Sequence, residues 1–282
     1  MDTTRYPVVG DRLRGYGHGA GGKAAVSDKP KLLDLFCCQG GAATGYDLAG
    51  FEVTGVDIAP MNRYPFRFVL ADALEYLAAH WQEYEAFHAS PPCQGYSAMK
   101  ELPWLKDKEY PLLILPTRLM FQEIHELSGK PWVIENVESA RWGSKYLEKR
   151  GISEHGMQAG FLCGRTLGLP VKRRHRLFET SFLWLAPAHL PHRKATVAVE
   201  TATVKTRTEL KRDGLAAWQR GPSSGARAMG VGVGHAKGWR LAAEAMGVPW
   251  MDRYGTTQAI PPVMTAYIGH AMMRALSRKG EG

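Results

Sequence analysis

The chain has 282 residues, 45% of them hydrophobic, and a formal net charge of +9. That length suits one large α/β domain or one domain with a small insert. The positive excess suits a polyanionic partner without separating DNA from RNA or from an anionic membrane. No run of about 18 apolar residues marks a membrane span, and the first residues lack the apolar core of a signal peptide. The four cysteines, Cys37, Cys38, Cys93 and Cys163, include no CxxC pair. A disulfide scaffold and a zinc site are therefore not expected, no metal is assigned, and a reducing cytoplasm is the expected compartment.

Residues 1–29 are rich in glycine and polar residues, show no period, and read as a flexible tail. The apolar run KLLDLF (31–36) then predicts a buried strand. It leads into CCQGGAATGYDLAG, a glycine-rich turn followed by a helix that ends at Gly50. FEVTGVDI (51–58) and FRFVLAD (66–72) read as second and third strands, each with an acid near its end. ALEYLAAHWQEY (73–84) reads as a helix and AFHAS (86–90) as a fourth strand. LLILPTRLMFQEIHEL (112–127) is mostly helix, and PWVIEN (131–136) is a fifth strand. Strand and helix alternate, which predicts an α/β fold with a mostly parallel sheet and helices on both faces.

Regularity fades after RRHRLFET (173–180). Residues 181–238 carry nine Lys or Arg against three acids, a net of +6 and most of the chain's excess charge. RLAAEAMGVP (240–249) is then a short helix with a Gly-Val-Pro stop. AIPPVMTAYIGHAMMRAL (259–276) starts with prolines, which a first helical turn tolerates, and continues as an apolar-striped helix. The organisation expected is a sheet domain over 30–180 plus 239–282, interrupted by a small basic insert over 181–238.

Sheets of this class bind ligands outside the carboxyl ends of their strands. Cys37 to Gly41, Asp57, Asp72, Pro91 to Cys93, Glu135 and Asn136 all fall there. Gly40, Gly41 and Gly45 after a strand, with Asp57 at the end of the next one, is a layout for a nucleoside-containing cofactor, or else a tight structural turn. Glycines let the backbone approach the ligand, and the acid accepts from ribose hydroxyls. The string lacks GxGxxG, which argues against a dinucleotide.

Cys93 stands in SPPCQGYS, behind two prolines that fix φ and remove backbone donors. Most free cysteines are small buried hydrophobes, but so stiff a loop suits a side chain that must stay in one place. A thiolate nucleophile needs its pKa lowered by nearby positive charge, which the arginines of KRRHR would supply if they fold onto it. Glu135 ends an apolar strand. It is either a surface carboxylate capping a turn or, partly buried, a proton donor near neutral pH. Arg174 and Arg176, two apart in an extended segment, share a face and suit a clamp on a carboxylate, phosphate or base edge. The alternative is a solvated basic strand.

As a set these strings resemble the C5-cytosine DNA methyltransferase family. DLFCCQGGAATGY is similar to its first motif, VTGVDI to its second, SPPCQGYS to its fourth, ENV to its sixth, RRHRLFE to its eighth and QAIPPVMTAYIG to its tenth. The resemblance covers about 31–180 and 239–276, and the compact form is most like phage and actinobacterial members. It implies a Rossmann-like S-adenosylmethionine (SAM)-dependent fold, with 181–238 as the target-recognition region on double-stranded DNA. It also implies a monomer in a bacterial cytoplasm, of the kind found in restriction-modification.

Phe36 would stack on the SAM adenine, Asp57 would hold its ribose and Asp72 its adenine amine. Cys38, Gln39, Gly40, Gly41, Ile58, Ala73, Pro91, Gln258 and Ala259 would complete the cofactor site. Cys93 would attack cytosine C6, Glu135 would bond N3 and the exocyclic amine, and Arg174 and Arg176 would orient the base and the Cys93 loop. Pro92, Gln94, Ser97, Asn136 and Val137 would line the substrate side. The cytosine would have to be flipped out of the duplex.

Two positions depart from the family pattern. Cys38 replaces a glycine, beside Gln39 where a small or apolar residue is usual, and Gln258 replaces an asparagine. Both places adjoin the transferred group, so a modified SAM carrying a larger group is an alternative. RNA as substrate, such as tRNA, is another, and a catalytically inactive DNA-binding protein a third.

Overall fold

A computed structural model describes residues 29–97, 109–142, 159–169, 174–189 and 239–279, with residues 157 and 171. All but the last residue of the tail expected over 1–29, and most of the expected basic insert, 190–238, lie outside the described residues. Seven strands form one sheet: β1 (Lys31–Leu35), β2 (Glu52–Asp57), β3 (Arg67–Leu70), β4 (Ala86–Ala89), β5 (Trp132–Asn136), β6 (Gly160–Cys163) and β7 (His175–Thr180). Their order is β3-β2-β1-β4-β5-β7-β6. β1 to β5 run parallel, whereas β7 is antiparallel to β5 and β6 antiparallel to β7. The sheet is mixed and mostly parallel, of Rossmann-like methyltransferase type.

Among the described residues six α-helices accompany it: α1 (Gly41–Leu48), α2 (Ala73–His80), α3 (Ile114–Ser128), α4 (Trp239–Met246), α5 (Arg253–Gln258) and α6 (Pro262–Lys279). Two apolar cores lie against the sheet. One gathers Leu33, Leu35, Phe87, Phe121 and Ile134 with α2 and α3. The other gathers Leu32, Tyr46, Phe51, Val133 and Phe178 with α1 and α6. α1 meets α6 at Gly45, where a Cβ would lie 2.0 Å from Thr265 Oγ1. Only glycine allows that approach, and Thr265 Oγ1 uses it to donate to the Ala42 carbonyl at 2.9 Å.

Several elements end earlier than their apolar patterns. β1 stops at Leu35 because Phe36 turns left-handed, at φ 57. β3 stops at Leu70 because Asp72 turns to cap α2, its Oδ1 accepting from Leu74 N and Glu75 N. The helix expected over 73–84 gives way after His80 to a 3-10 turn, Trp81–Glu83. The expected strands are otherwise present, and β6 is one that apolar pattern did not announce. Residues 181–189, read as the start of the insert, lie on the sheet domain. Phe182 and Trp184 pack on the second core, and Tyr267 of α6 donates to the Leu185 carbonyl at 2.8 Å. Among the described residues no helix is long and apolar enough to cross a membrane.

Candidate active site

The strand order reverses between β1 and β4, neighbours whose chains leave in opposite directions across the sheet. Such a switch point opens a crevice at the carboxyl ends of the strands. The glycine-rich turn leaves β1 on one side of it, and the Cys93 loop leaves β4 on the other.

The turn is held tightly. Phe36 and Cys38 both have positive φ, 57 and 46, a conformation uncommon for residues with a Cβ. Cys38 N donates to Asp57 Oδ2 at 3.0 Å and Ala59 N to Asp57 Oδ1 at 3.1 Å. Asp57 thus joins the turn to the end of β2 and keeps a lone pair on each oxygen. Gly40 is the left-handed N-cap of α1. Gly41 sits so close to the α5–α6 connection that a Cβ would lie 2.5 Å from the Ile260 carbonyl. Ile58, next to Asp57, is 75% exposed, an apolar face that no part of the described chain covers. Asp72 caps α2 through Oδ1 alone, with buried Ala73 behind it. Phe36, half-buried, packs on the first core.

Gln39 is buried and turns away from this face. Its Oε1 accepts from Asp252 N at 3.0 Å, and its carbonyl accepts from Trp250 Nε1 at 2.9 Å. Gly255 makes room for it, since a Cβ there would lie 2.2 Å from Gln39 Oε1. Trp250, Asp252 and Tyr254 were not singled out by sequence. Tyr254 is 58% exposed, and its phenol is pushed up by partial burial, then by Cys38, Asp57 and Cys93, so it lies near both halves of the crevice. The only sequence signal is the aromatic-rich string PWMDRYG just before the tenth-motif stretch.

On the other side, Pro91 begins the loop and Ser97 is its last described residue. Tyr96 N donates to the Cys93 carbonyl at 3.0 Å, and Ile114 N at the start of α3 donates to Tyr96 Oη at 3.1 Å. Asn136 Nδ2 donates to the Pro91 carbonyl and Val137 N to Asn136 Oδ1, both at 2.9 Å. Asn136 therefore lies beneath the loop, with both ends of its amide on backbone. Pro92, Cys93 and Gln94 are half-buried.

Because β7 is antiparallel to β5, its beginning lies at the carboxyl end of β5, with Asn136 opposite Leu177. Arg174 and Arg176 are thereby delivered to Glu135 and Cys93. Arg176 Nε is 2.7 Å from Glu135 Oε1. Buried Arg174 donates to the carbonyls of Ala259 and Thr257, beside Gln258 at the end of α5. Arg176 thus faces Glu135, and Arg174 ties the start of β7 to the end of α5.

Electrostatics follow from depth. Burial raises the Glu135 carboxyl above its ordinary value, although Arg176, Arg174 and a hydrogen bond from Ser90 oppose the rise. Burial also raises the Cys93 thiol, against Arg176 and Arg174. The sequence-based expectation of a lowered Cys93 pKa is thus corrected: the arginines arrive, but desolvation outweighs them. Burial likewise pushes Cys38 up to about 12.

A buried relay supports Glu135. Tyr46 Oη is 2.8 Å from His88 Nδ1, and His88 Nε2 is 2.8 Å from Ser90 Oγ. Burial lowers the His88 pKa to about 3, so the ring is neutral. With Glu135 ionised, Ser90 donates to it, His88 Nε2–H donates to Ser90, and Tyr46 donates to Nδ1.

No protein-family model matches the chain, and no curated protein matches it. Among solved structures, a protein described as a DNA modification methyltransferase encoded within an E. coli prophage is 13% identical. The match covers 88% of this chain and 100% of that one, with a TM-score of 0.51. The chain has a methyltransferase fold. It is the fold that the resemblance drawn from the motifs implies. The S. pombe Dnmt2 methyltransferase matches at 12% identity and TM-score 0.45, covering 88% of this chain and 99% of that one. The Entamoeba histolytica methyltransferase EhMeth matches at 12% and 0.46, covering 90% and 100%.

Proposed function

We propose that the chain is a DNA (cytosine-5)-methyltransferase that uses SAM and a covalent bond from Cys93 to cytosine C6. One observation carries this reading: Cys93, Glu135 and Arg176 converge at the carboxyl end of the sheet, across the switch point from the Asp57-bound turn. The turn fits SAM. Asp57 keeps lone pairs for ribose hydroxyls, Ile58 offers an uncovered apolar face to an adenine, and Phe36 flanks the same strand ends. When bound there, SAM supplies an electrophilic methyl group on a sulfonium.

The residues of the chain activate the other partner. C5 of cytosine is a poor nucleophile. Attack of the Cys93 thiolate on C6 forms a C–S bond and moves the ring electrons toward C5 and N3. Protonated Glu135 donates to N3 and stabilises that charge, and Arg176 holds Glu135 in place. After C5 is methylated, a base takes its proton, the C6–S bond breaks and Cys93 leaves as the thiolate, which restores the aromatic ring. The relay through Ser90 and His88 orients the carboxyl without adding a buried charge.

The test uses duplex DNA containing 5-fluorocytosine, incubated with SAM and the intact chain. Fluorine cannot leave C5 as a proton does, so the adduct persists on a denaturing gel. An adduct in wild type, absent in Cys93→Ala, is expected. Adducts on tRNA but on no duplex DNA would reassign the substrate, and adducts on neither would leave a binding protein. Methylome sequencing of a host expressing the chain would then report the sequence context.

A further inference from the structure

A second cluster of chemistry-bearing side chains lies on the opposite face of β7 from the arginines. Cys163 and His175 are cross-strand partners in the β6–β7 ladder, so their side chains leave the same face about 5 Å apart at Cβ. His189, nine residues past the end of β7, returns to that face. Its Nε2 is 3.2 Å from His175 Nε2, and the rings meet edge to face at 78°. Phe161 lies against both imidazoles, at 5.5 Å and 5.2 Å between centroids. One ligand atom from each of Cys163, His175 and His189 lies within 4.8 Å of the others.

Glu138 sets the tautomer. Its Oε2 is 3.0 Å from His175 Nδ1. An ionised carboxylate only accepts, so Nδ1 of a neutral ring carries the proton and Nε2 presents its lone pair toward His189. A carboxylate behind a ligating histidine is the usual support for a zinc ligand. Bonds of about 2.0–2.1 Å in a tetrahedral site place two nitrogens about 3.3 Å apart, close to the spacing of the two Nε2 atoms.

We propose that Cys163, His175 and His189 bind a zinc ion, with Glu138 holding His175 in the ligating form and water completing the tetrahedron. No CxxC string announces the site, because its three donors come from a strand pair and a returning segment. The ion is a clamp. Successive residues of a strand point to opposite faces, so His175 faces away from Arg174 and Arg176, and the ion fixes the back of the strand that carries them. It also secures the chain at residue 189, immediately before the basic segment.

The full chain would be stripped with a chelator, dialysed and titrated with zinc against a chromophoric indicator, then with cobalt(II). One zinc per chain is expected, with a thiolate-to-cobalt charge-transfer band and tetrahedral d–d bands. Cys163→Ser should lose the band, whereas Cys93→Ala should keep it, because Cys93 lies elsewhere. His189→Ala removes an exposed side chain and should abolish stoichiometric binding without unfolding the chain, which keeps the test decisive if Cys163→Ser does not fold. Glu138→Gln should weaken zinc by about 10- to 100-fold. No band in wild type, or a band unchanged in His189→Ala, would overturn the site and leave a His–His hydrogen bond.

Discussion

Asn136 Nδ2 donates to the Pro91 carbonyl at 2.9 Å, from the end of β5 to the first residue of the Cys93 loop. The bond sets the height of the loop relative to Glu135, the residue before Asn136. Asn136→Ala leaves that carbonyl unpaired and frees the loop to shift. A displacement of about 1 Å at a reacting centre costs roughly 10²-fold in rate. The expected outcome is a fall of that order in adduct formation at saturating DNA, with DNA affinity changed by less than about threefold. Equal loss of rate and affinity would instead place Asn136 on the substrate.

The raised pKa values of Cys93 and Glu135 set the pH profile. In the proposed reaction the working form has a Cys93 thiolate and a protonated Glu135, which together hold one proton, as does the resting thiol–carboxylate pair. kcat/KM is therefore flat between the two pKa values. It falls below that of Glu135, where a second proton binds, and above that of Cys93, where none is left. Burial places the acid limb above the ordinary 4.5 and the alkaline limb above 9.0. In Glu135→Gln the working form needs only the thiolate, so the acid limb should move up to the Cys93 pKa, the alkaline limb should vanish, and the plateau should fall by about 10²- to 10⁴-fold. An acid limb at the same pH in that variant would exclude Glu135 as its source.

Much of this arrangement is legible in the amino-acid sequence. Cys93, Glu135 and the two arginines were found because each is a polar residue breaking a local pattern: a proline-stiffened loop, an apolar strand end, an i, i+2 basic pair. Their meeting came from the family resemblance alone, since it depends on β7 entering antiparallel beside β5, which no local signal encodes. The sign of the Cys93 shift was missed because depth, not neighbouring charge, dominates it. The family resemblance implied Gln39 beside the transferred group, whereas a side chain's direction depends on distant partners, here Asp252 and Gly255. The Tyr46–His88–Ser90 relay was hidden because a histidine inside AFHAS reads simply as part of a strand.

A buried ion pair ties α3 to β7 behind the site. Arg118 of α3 reaches Glu179 of β7 twice, Nε to Oε1 at 2.7 Å and Nη2 to Oε2 at 2.9 Å, and both residues are buried. Arg118→Ala strands a buried carboxylate and should cost about 3–5 kcal/mol in urea unfolding. Arg118→Met with Glu179→Leu, which removes both charges and keeps volume, should recover most of that loss. A double variant as unstable as the single one would show that packing, not the unpaired charge, is responsible.

Gln39 holds the glycine-rich turn and does not face the group transferred in the proposed reaction. Its side chain joins the cofactor turn to Asp252, the N-cap of α5, whose other end presents the Ala259 carbonyl to Arg174. Gln39→Ala removes one buried hydrogen bond, about 1 kcal/mol, and leaves Asp252 N unpaired. SAM affinity should drop by roughly 10-fold in calorimetry, and adduct formation should slow because Arg174 is less firmly placed. The side chain faces away from the crevice, so the variant's preference between SAM and an analogue with a bulkier transferable group should match wild type. Mass spectrometry of the product nucleosides from a mixture of the two donors reads that preference directly. A switch in donor on Gln39→Ala would put the side chain beside the transferred group after all.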